Sequence, residues 1–511
     1  MKKQSLLKGT LILGSAGMIA KFLGLFFRWP IQMIIGDEGF GYYQMSYPLY
    51  MFFIAVASGI PVAVSKMVSE NNAVNNHEGM IQVLRKAMLL MVIMGVGFTG
   101  ILLSFSKYII KYLRWDIKSY YALIGIATAP VFIAIMSALR GFFQGMQNMS
   151  PTAVSQILEQ CGRVIVGVGL AYILLPKGIE YSAGGAALGA TAGGILGGIY
   201  LLFKYIKVKK ELNVKKVKDD PQILTALLKI AIPISLGAAV GTIMSLIDSI
   251  LVPQKLLEAG YTYKEATILY GQLSGKAFTL INVPLTLSMA LCASIVPIIA
   301  EEYFLHRMTE VINKVDLSLK ISMVIGLPSA AGLFMLAYPI LNLIFPGQAD
   351  GYLILKYLSI CIPFIIIAQT TTSILQSIGK FFTPVINLAA GCVIKILITY
   401  FLVTIPSINI YGAVLGTIAG YVTAALLNIV KLKKALHYNI NYYEMLIKPL
   451  FAAMAMLISV VFIYISVYNY TGSSRIGCLI AILCGILIYG ILIFILGIFK
   501  YSYVKKRLLR R

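Results

Sequence analysis

Long apolar stretches separated by short polar segments recur along the whole chain. A membrane-spanning helix needs about 20 consecutive, mostly apolar residues, and fourteen segments meet that requirement. The pattern therefore predicts an all-α integral membrane protein with fourteen transmembrane helices. The predicted spans are 10–35, 44–68, 83–106, 119–141, 151–175, 183–205, 223–252, 267–299, 315–343, 352–378, 384–405, 411–431, 446–468 and 476–499.

The composition excludes a soluble fold. Of the 511 residues, 59% are hydrophobic and 12% are charged, whereas soluble domains have about 25% charged residues. The net charge of +24 comes from basic residues clustered in short runs between apolar spans. That distribution indicates contact with anionic membrane lipids and no nucleic-acid partner. The six cysteines lie in apolar runs without a zinc or disulfide pattern, so we expect no metal and no cofactor.

The distribution of Lys and Arg predicts the orientation in the cell membrane. With the N-terminus inside, cytoplasmic segments carry about 25 of these residues and outer segments about 8. The basic loop 204–220 and the basic tail 505–511 are then cytoplasmic, whereas the basic segment 107–118 disagrees. The first apolar stretch is too long for a cleaved signal peptide. We expect a multi-pass plasma-membrane protein with both termini in the cytoplasm.

An internal repeat predicts the domain organisation. The sixth and twelfth spans share the pattern G-A-x-L-G-x-x-A-G, which begins at Gly185 and at Gly412. The preceding span in each case begins at a proline and carries a cation about three turns later, Arg163 and Lys395. We therefore expect two pseudo-symmetric six-helix lobes followed by two C-terminal helices. The predicted domains are a lobe at 1–205, a basic linker at 206–221, a lobe at 222–432 and an appendage at 433–511.

The first span carries two cations on one polar stripe. Lys21 and Arg28 lie seven residues apart, on the same helical face as a series of glycines. Charged side chains at membrane depth cost about 2.5–3.5 kcal/mol each, so they indicate function by default. Lys276 and Lys395 are two further cations inside predicted spans. These four residues are the predicted substrate-binding groups, and their excess positive charge predicts an anionic ligand in a cavity between the lobes.

Other charged residues within the spans have alternative interpretations. Glu159 and Arg163 are spaced i, i+4, which favours a structural ion pair over a substrate contact. Asp248 occupies the position in the second lobe that Arg28 occupies in the first. We predict that Asp248, with Glu159 and Arg163, acts in gating or coupling. Lys320 lies near a helix start, where its side chain reaches the membrane surface as readily as a cavity.

The sequence contains no motif for hydrolytic or transfer chemistry. A secondary transporter driven by an ion gradient, the membrane potential or the substrate gradient is therefore expected, and not an enzyme. Three alternatives were weighed. The first is a cation-coupled multidrug exporter, which needs an acidic cavity. The second is a membrane-embedded glycosyl or acyl transferase, which needs paired carboxylates or a catalytic histidine. The third is a scaffold for envelope synthesis, which would not need the cations at all.

Several short motifs resemble a known family. They are residues 3–13 (KQSLLKGTLIL), the segment AKFLG at 20–24 with Arg28, and the segments at 35–39, 59–66 and 140–145. In this order they resemble the stage V sporulation protein B family of Firmicutes. That family is similar to the lipid II flippase MurJ and to polysaccharide exporters, within the multidrug/oligosaccharidyl-lipid/polysaccharide superfamily.

The resemblance implies two six-helix lobes around a central cationic cavity, with Lys21 and Arg28 at the first-helix cation positions. It implies a flippase that moves an undecaprenyl-diphosphate-linked saccharide, a precursor of peptidoglycan or a related polymer, across the membrane by alternating access. The last two helices are implied to hold the lipid tail. The expected partners are the lipid-linked saccharide and membrane lipids, with envelope-synthesis enzymes as candidate protein partners. The sequence departs from the family pattern at 49–53, where a second cavity arginine is expected.

Overall fold

The structure is a computed structural model whose backbone is described for residues 6–212, 220, 222–437 and 439–498. Within its helices, the side chains at 6–11, 14, 21, 25, 240, 293, 294 and 297 are not described. Three predicted features consequently lie outside the described parts: the Lys21 side chain, half of the linker at 206–221 and the basic tail. The described residues contain no β-strand.

Eighteen α-helices account for most of these residues, with short 3₁₀ turns at 175–177 and 359–361 and π-helical turns at 271–277 and 443–447. The α-helices are α1 (Leu6–Ala57), α2 (Gly59–Ala73), α3 (His77–Leu113), α4 (Ser119–Ala127), α5 (Ala129–Gly145), α6 (Met149–Leu174), α7 (Ile179–Leu212), α8 (Gln222–Glu258), α9 (Tyr263–Tyr270), α10 (Phe278–Phe304), α11 (Met308–Met335), α12 (Ala337–Ile344), α13 (Tyr352–Leu358), α14 (Ile362–Ser377), α15 (Phe382–Leu402), α16 (Tyr411–Leu436), α17 (Lys448–Thr471) and α18 (Ser474–Ile495).

The helices confirm the predicted all-α membrane fold. Thirteen segments among the described residues are long and apolar enough to cross a membrane. The first of these, Ser15–Ala73, is 59 residues long and covers the second predicted span and the first from Ser15 onward. Each of the other twelve overlaps one predicted span. Each of the fourteen predicted spans is thus mainly helical where the structure describes it.

A kink at Gly36 separates the two halves of α1. Gly36 has φ 64° and ψ −168°, a backbone conformation available essentially only to glycine. Across the kink, the Gln32 side-chain amide donates a hydrogen bond to the Asp37 carboxylate at 2.6 Å. Beyond it, Lys264 at the start of α9 forms an ion pair with Glu38 at 3.1 Å. The residues after the kink are therefore tied to the α8–α9 hairpin, and the second half of α1 continues as a separate span.

The chain divides into two compact units, Met1–Gly271 and Gln272–Arg511. In the first unit, α6 packs along α7, and α1 packs on α6, α7 and α8. In the second unit, α15 packs along α16, α17 packs along α18, and α10 packs on α14. Helix α8 also packs on α2 and α3 within the first unit. The predicted lobe boundary near residues 206–221 stays a prediction.

The repeated glycine pattern lies at the closest helix contacts of both units. A Cβ atom on Gly189 of α7 would lie 2.7 Å from the carbonyl oxygen of Arg163 on α6. A Cβ atom on Gly416 of α16 would lie 3.1 Å from the carbonyl oxygen of Lys395 on α15. Glycine at both positions lets the helix backbones approach closely, as is common between membrane helices. In each unit, the glycine pattern thus packs against the backbone of one of the two cations at equivalent positions of the repeat, Arg163 or Lys395.

Candidate functional site

The two halves of α1 bring Arg28 against an aromatic helix face. The Arg28 guanidinium carbon lies 5.8 Å from the centroid of the Tyr47 ring, and both side chains are only half-buried. One residue earlier, the Phe27 ring lies 6.0 Å from the Tyr43 ring. A guanidinium over an aromatic face forms a cation–π contact with the ring. Because Arg28 is also partly exposed, it lies where a cation can contact a ligand.

Three tyrosines continue this face along the second half of α1. Tyr43, Tyr47 and Tyr50 follow the spacing i, i+4, i+7, which places them on one side of the helix. The ring centroids of Tyr43 and Tyr47 are 5.5 Å apart, and those of Tyr47 and Tyr50 are 5.8 Å apart. Tyr43 and Tyr50 are buried. We call these three residues the tyrosine row.

Helix α6 supplies a second arginine to the same row. Arg163 donates a hydrogen bond to the Tyr50 hydroxyl at 3.2 Å, and its guanidinium carbon lies 5.9 Å from the centre of that ring. Its Nη2 atom lies 3.7 Å from Glu159 Oε1, so the predicted pairing of Glu159 with Arg163 is confirmed. Arg28 and Arg163 thus contact tyrosines one helical turn apart.

Glu159 also pairs with an arginine of α5. The Arg140 Nη2 atom lies 3.0 Å from Glu159 Oε2, and its Nε donates to the Ser155 hydroxyl at 2.8 Å. The side chains of Arg140, Glu159 and Arg163 are 15%, 13% and 10% exposed, so one carboxylate lies between two largely buried guanidinium groups. We call the tyrosine row with Arg28, Arg140, Glu159 and Arg163 the arginine–tyrosine cluster. Three arginines against one glutamate give it a net positive formal charge.

Polar atoms around the cluster retain hydrogen-bonding capacity. Within the described part of the chain, the buried Nε of Arg163 has no hydrogen-bond partner. The same holds for the side-chain carbonyl oxygens of Gln32 on α1 and Gln160 on α6. Buried polar groups in native proteins are nearly always paired, and unpaired ones mark the place of a bound water, ion or ligand. The Arg163 Nε can therefore donate to an anion, whereas the two glutamine oxygens can accept only from a donor such as a hydroxyl group.

Three other predicted site residues are described within their own units. Lys276 is fully buried in the π-helical turn that begins the second unit, and its ammonium donates to the carbonyls of Gln348 at 2.8 Å and Asp350 at 3.3 Å. Lys395 is buried in α15 of the same unit. Asp248 is buried in α8 of the first unit. Their predicted roles in binding and gating stay predictions.

Lys320 pairs with a carboxylate at the start of the helix that follows the second repeat. Its ammonium lies 3.0 Å from Glu444, which also pairs with Lys448. Lys320 therefore has a counterion within its own unit. Whether Lys320 reaches the membrane surface or a cavity stays a prediction.

Two components of the cluster were not predicted. Neither Arg140 nor any tyrosine of the row is among the residues that the sequence predicts for the site. The i, i+4, i+7 spacing of the tyrosines is the signal in the sequence that could have revealed the row. No signal in the sequence pairs Arg140 with Glu159, because they lie on different helices and meet only through the packing of α5 against α6.

The thirteen candidate spans, several of which carry charged side chains in contact with one another, are those of a multi-pass membrane protein. The sequence model of the family described as "Polysaccharide biosynthesis protein" matches residues 6–302. The chain belongs to this family. Stage V sporulation protein B of Bacillus subtilis (strain 168) is 32% identical to it, over 87% of this chain and 86% of that protein. The predicted resemblance to the stage V sporulation protein B family is thus confirmed.

Two further proteins are similar to this chain. The lipid II flippase MurJ of Bacillus subtilis (strain 168) is 25% identical, over 87% of this chain and 85% of that protein. The solved inward closed structure of a lipid II flippase MurJ covers 98% of this chain and 100% of its own, with a TM-score of 0.73 and 17% identity. An inward-facing multidrug resistance MATE family transporter of the MOP superfamily has a TM-score of 0.71 and 16% identity, and the match covers 82% of this chain and 94% of the transporter. The chain therefore has the fold of these two membrane transporters.

Proposed function

We propose that this protein is a secondary flippase that moves an undecaprenyl-diphosphate-linked saccharide, a precursor of peptidoglycan or a related envelope polysaccharide, across the cytoplasmic membrane. The observation that carries the proposal is the half-exposed Arg28 on Tyr47, within a cluster of net positive charge. A diphosphate supplies the negative charge and the acceptor oxygens that such arginines bind. The 25% identity to a lipid II flippase supports the same substrate class.

The cluster accounts for reversible binding of a diphosphate. Arg28 makes the first contact, because it is the more exposed of the two arginines on the tyrosine row. Arg163 exchanges part of its interaction with Glu159 for a phosphate oxygen, and Arg140 keeps Glu159 neutralised meanwhile. The long 3.7 Å separation between Arg163 and Glu159 makes this exchange less costly than breaking a short ion pair. The cluster then binds the diphosphate strongly enough to capture the substrate and weakly enough to release it.

The remaining predicted residues complete the proposed cycle. Lys21, Lys276 and Lys395 add positive charge on the substrate path, and Asp248 pairs with a cation when the substrate is absent. The chain alternates between inward-open and outward-open states, with both termini in the cytoplasm. For Lys276 to contribute, its ammonium must leave the carbonyls of Gln348 and Asp350. Because those hydrogen bonds must break first, Lys276 contacts the substrate after Arg28 does.

Rescue of a strain depleted of its lipid II flippase tests the proposal. We expect the unchanged chain to restore growth and to reverse the accumulation of lipid-linked precursors, and Arg28→Gln to fail at equal membrane abundance. The matched control is Arg475→Gln, which removes one exposed arginine at the start of α18. Normal rescue by Arg28→Gln would remove Arg28 from the mechanism. Failure of the unchanged chain to reduce precursor levels would contradict the lipid-linked substrate.

A cation-coupled multidrug exporter is the second candidate, since a multidrug transporter shares the fold. It requires a carboxylate available to an organic cation. Glu159, the one carboxylate of the arginine–tyrosine cluster, lies between two arginines, which favours an anionic substrate. Efflux of ethidium from cells expressing the chain distinguishes the two candidates. Ethidium efflux by the unchanged chain, without any rescue of precursor transport, would favour the exporter.

A further inference from the structure

A cleft of about 300 Å³ lies between α3, α5 and α7, in the first unit. Its walls are mainly apolar, with Leu84 and Met88 from α3, Leu139 from α5 and Leu202 from α7. The volume is at the lower end of the range for binding pockets of small organic ligands. None of the lining residues belongs to the arginine–tyrosine cluster, so the cleft is a separate feature.

Two cations and a tyrosine form the polar part of the lining. Arg85 and Lys209 are both exposed, and Tyr205 packs edge-on against the ring of Phe142, at 5.6 Å. Within the part of the chain that the structure describes, neither cation forms an ion pair of 4.0 Å or less with a carboxylate. The lining contains no carboxylate to neutralise them. The polar part of the cleft is therefore suited to an anion.

Both cations lie near an end of their helix. Arg85 is in the third turn of α3, which starts at His77, and Lys209 is in the last turn of α7, which ends at Leu212. Beside the cleft, Leu89 on α3 and Phe203 on α7 are 59% and 70% exposed. Exposed apolar side chains next to a pair of basic residues are the arrangement that contacts lipid chains and lipid headgroups together.

We propose that this cleft binds an anionic phospholipid of the surrounding bilayer. Its phosphate lies between Arg85 and Lys209, and part of one acyl chain lies along the leucine and methionine wall. A free phosphate ion would use the cations but leave this apolar wall without a ligand. A neutral lipid would use the wall but leave the cations without a counterion. Only a ligand that is both anionic and apolar satisfies the whole lining.

Native mass spectrometry of the purified full-length protein, titrated with dioleoylphosphatidylglycerol, tests the proposal. Each basic residue near an anionic lipid surface changes affinity about fivefold, so we expect Arg85→Gln with Lys209→Gln to weaken the tightest bound lipid about thirtyfold. The matched control is Lys207→Gln with Lys210→Gln, which removes two charges from the same part of α7 outside the cleft. Equal affinity in the two double variants would overturn the proposal.

A second pair of variants addresses the apolar wall. Leu202→Trp fills the cleft, whereas Ile206→Trp adds the same bulk to an exposed position outside it. Because both positions are exposed, both variants should fold, and a matching elution profile and thermal midpoint check this. We expect only Leu202→Trp to lose the tight lipid. Equally tight binding of dioleoylphosphatidylcholine, or displacement of the lipid by millimolar inorganic phosphate, would overturn the assignment to an anionic phospholipid.

Discussion

Replacement of Gly189 by alanine tests the coupling between helix packing and the arginine–tyrosine cluster. The new Cβ atom would lie 2.7 Å from the carbonyl oxygen of Arg163 and 2.8 Å from the Cα atom of Gly167, whereas ordinary van der Waals contact begins at 3.4 Å. Helices α6 and α7 must therefore separate by about 0.7 Å at this position. Overpacking of this kind costs about 1–3 kcal/mol.

The displacement reaches the site through the α6 backbone. A shift of 0.7 Å, if directed along the 3.2 Å bond from Arg163 to the Tyr50 hydroxyl, lengthens that bond to about 3.9 Å, beyond hydrogen-bonding distance. Misplacement of a binding group by about 1 Å can cost a hundredfold in rate. We therefore expect Gly189→Ala to lower the transport rate as well as the stability.

Gly198→Ala on the same helix is the control. Its Cβ atom would meet only the Met136 Cβ atom, at 4.0 Å. Both variants gain the same helix propensity, about 1 kcal/mol, so the difference between them isolates the steric cost. The assays are the thermal midpoint of the purified full-length protein and the clearance of lipid-linked precursors in the depleted strain. Equal stability and equal transport in the two variants would refute the close approach of α6 and α7 at Gly189.

Two further substitutions test the charges of the cluster and the kink in α1. Glu159→Gln leaves its two largely buried arginine partners without a counterion, at a cost of about 3–5 kcal/mol. The thermal midpoint should fall clearly, whereas Glu70→Gln breaks only an exposed 4.0 Å pair and should not change it. Gly36→Ala forces alanine into a conformation with φ 64°, at a cost of about 1–3 kcal/mol. Gly97→Ala, on helix α3 with open space at its Cβ, should be neutral or stabilising, and similar midpoints for the two glycine variants would contradict the kink.

The helices themselves could be predicted because each one depends only on the residues of its own segment. Twelve of the candidate spans each overlap one apolar stretch of the sequence, and the thirteenth covers the second stretch and the first from Ser15 onward. In a bilayer, each spanning helix satisfies its own backbone hydrogen bonds and needs only enough apolar residues to cross. What the apolar pattern did not predict is the conformation of the kink at Gly36, between the first two spans, because the backbone angles of Gly36 depend on what the chain packs against.

The cluster could be predicted only in part. The i, i+4 spacing pairs Glu159 with Arg163 on a single helix turn, so sequence alone was sufficient for that contact. The contacts of Arg140 with Glu159 and of Arg163 with Tyr50 join residues on different helices. Sequence spacing carries no information about them, since they depend on how α1, α5 and α6 pack together.

By itself, the sequence determined that this chain is an all-helical membrane protein with an excess of cations inside its spans, because hydropathy and charge are properties of the residues alone. It also determined the positions of the repeated glycines. Only the tertiary structure decided which of the cations share a site. Arg28, Arg140 and Arg163 meet one glutamate and three tyrosines in the first unit, whereas Lys276 is bound to backbone carbonyls in the second. The physical reason is that side chains separated by up to 135 residues come together only when their helices pack.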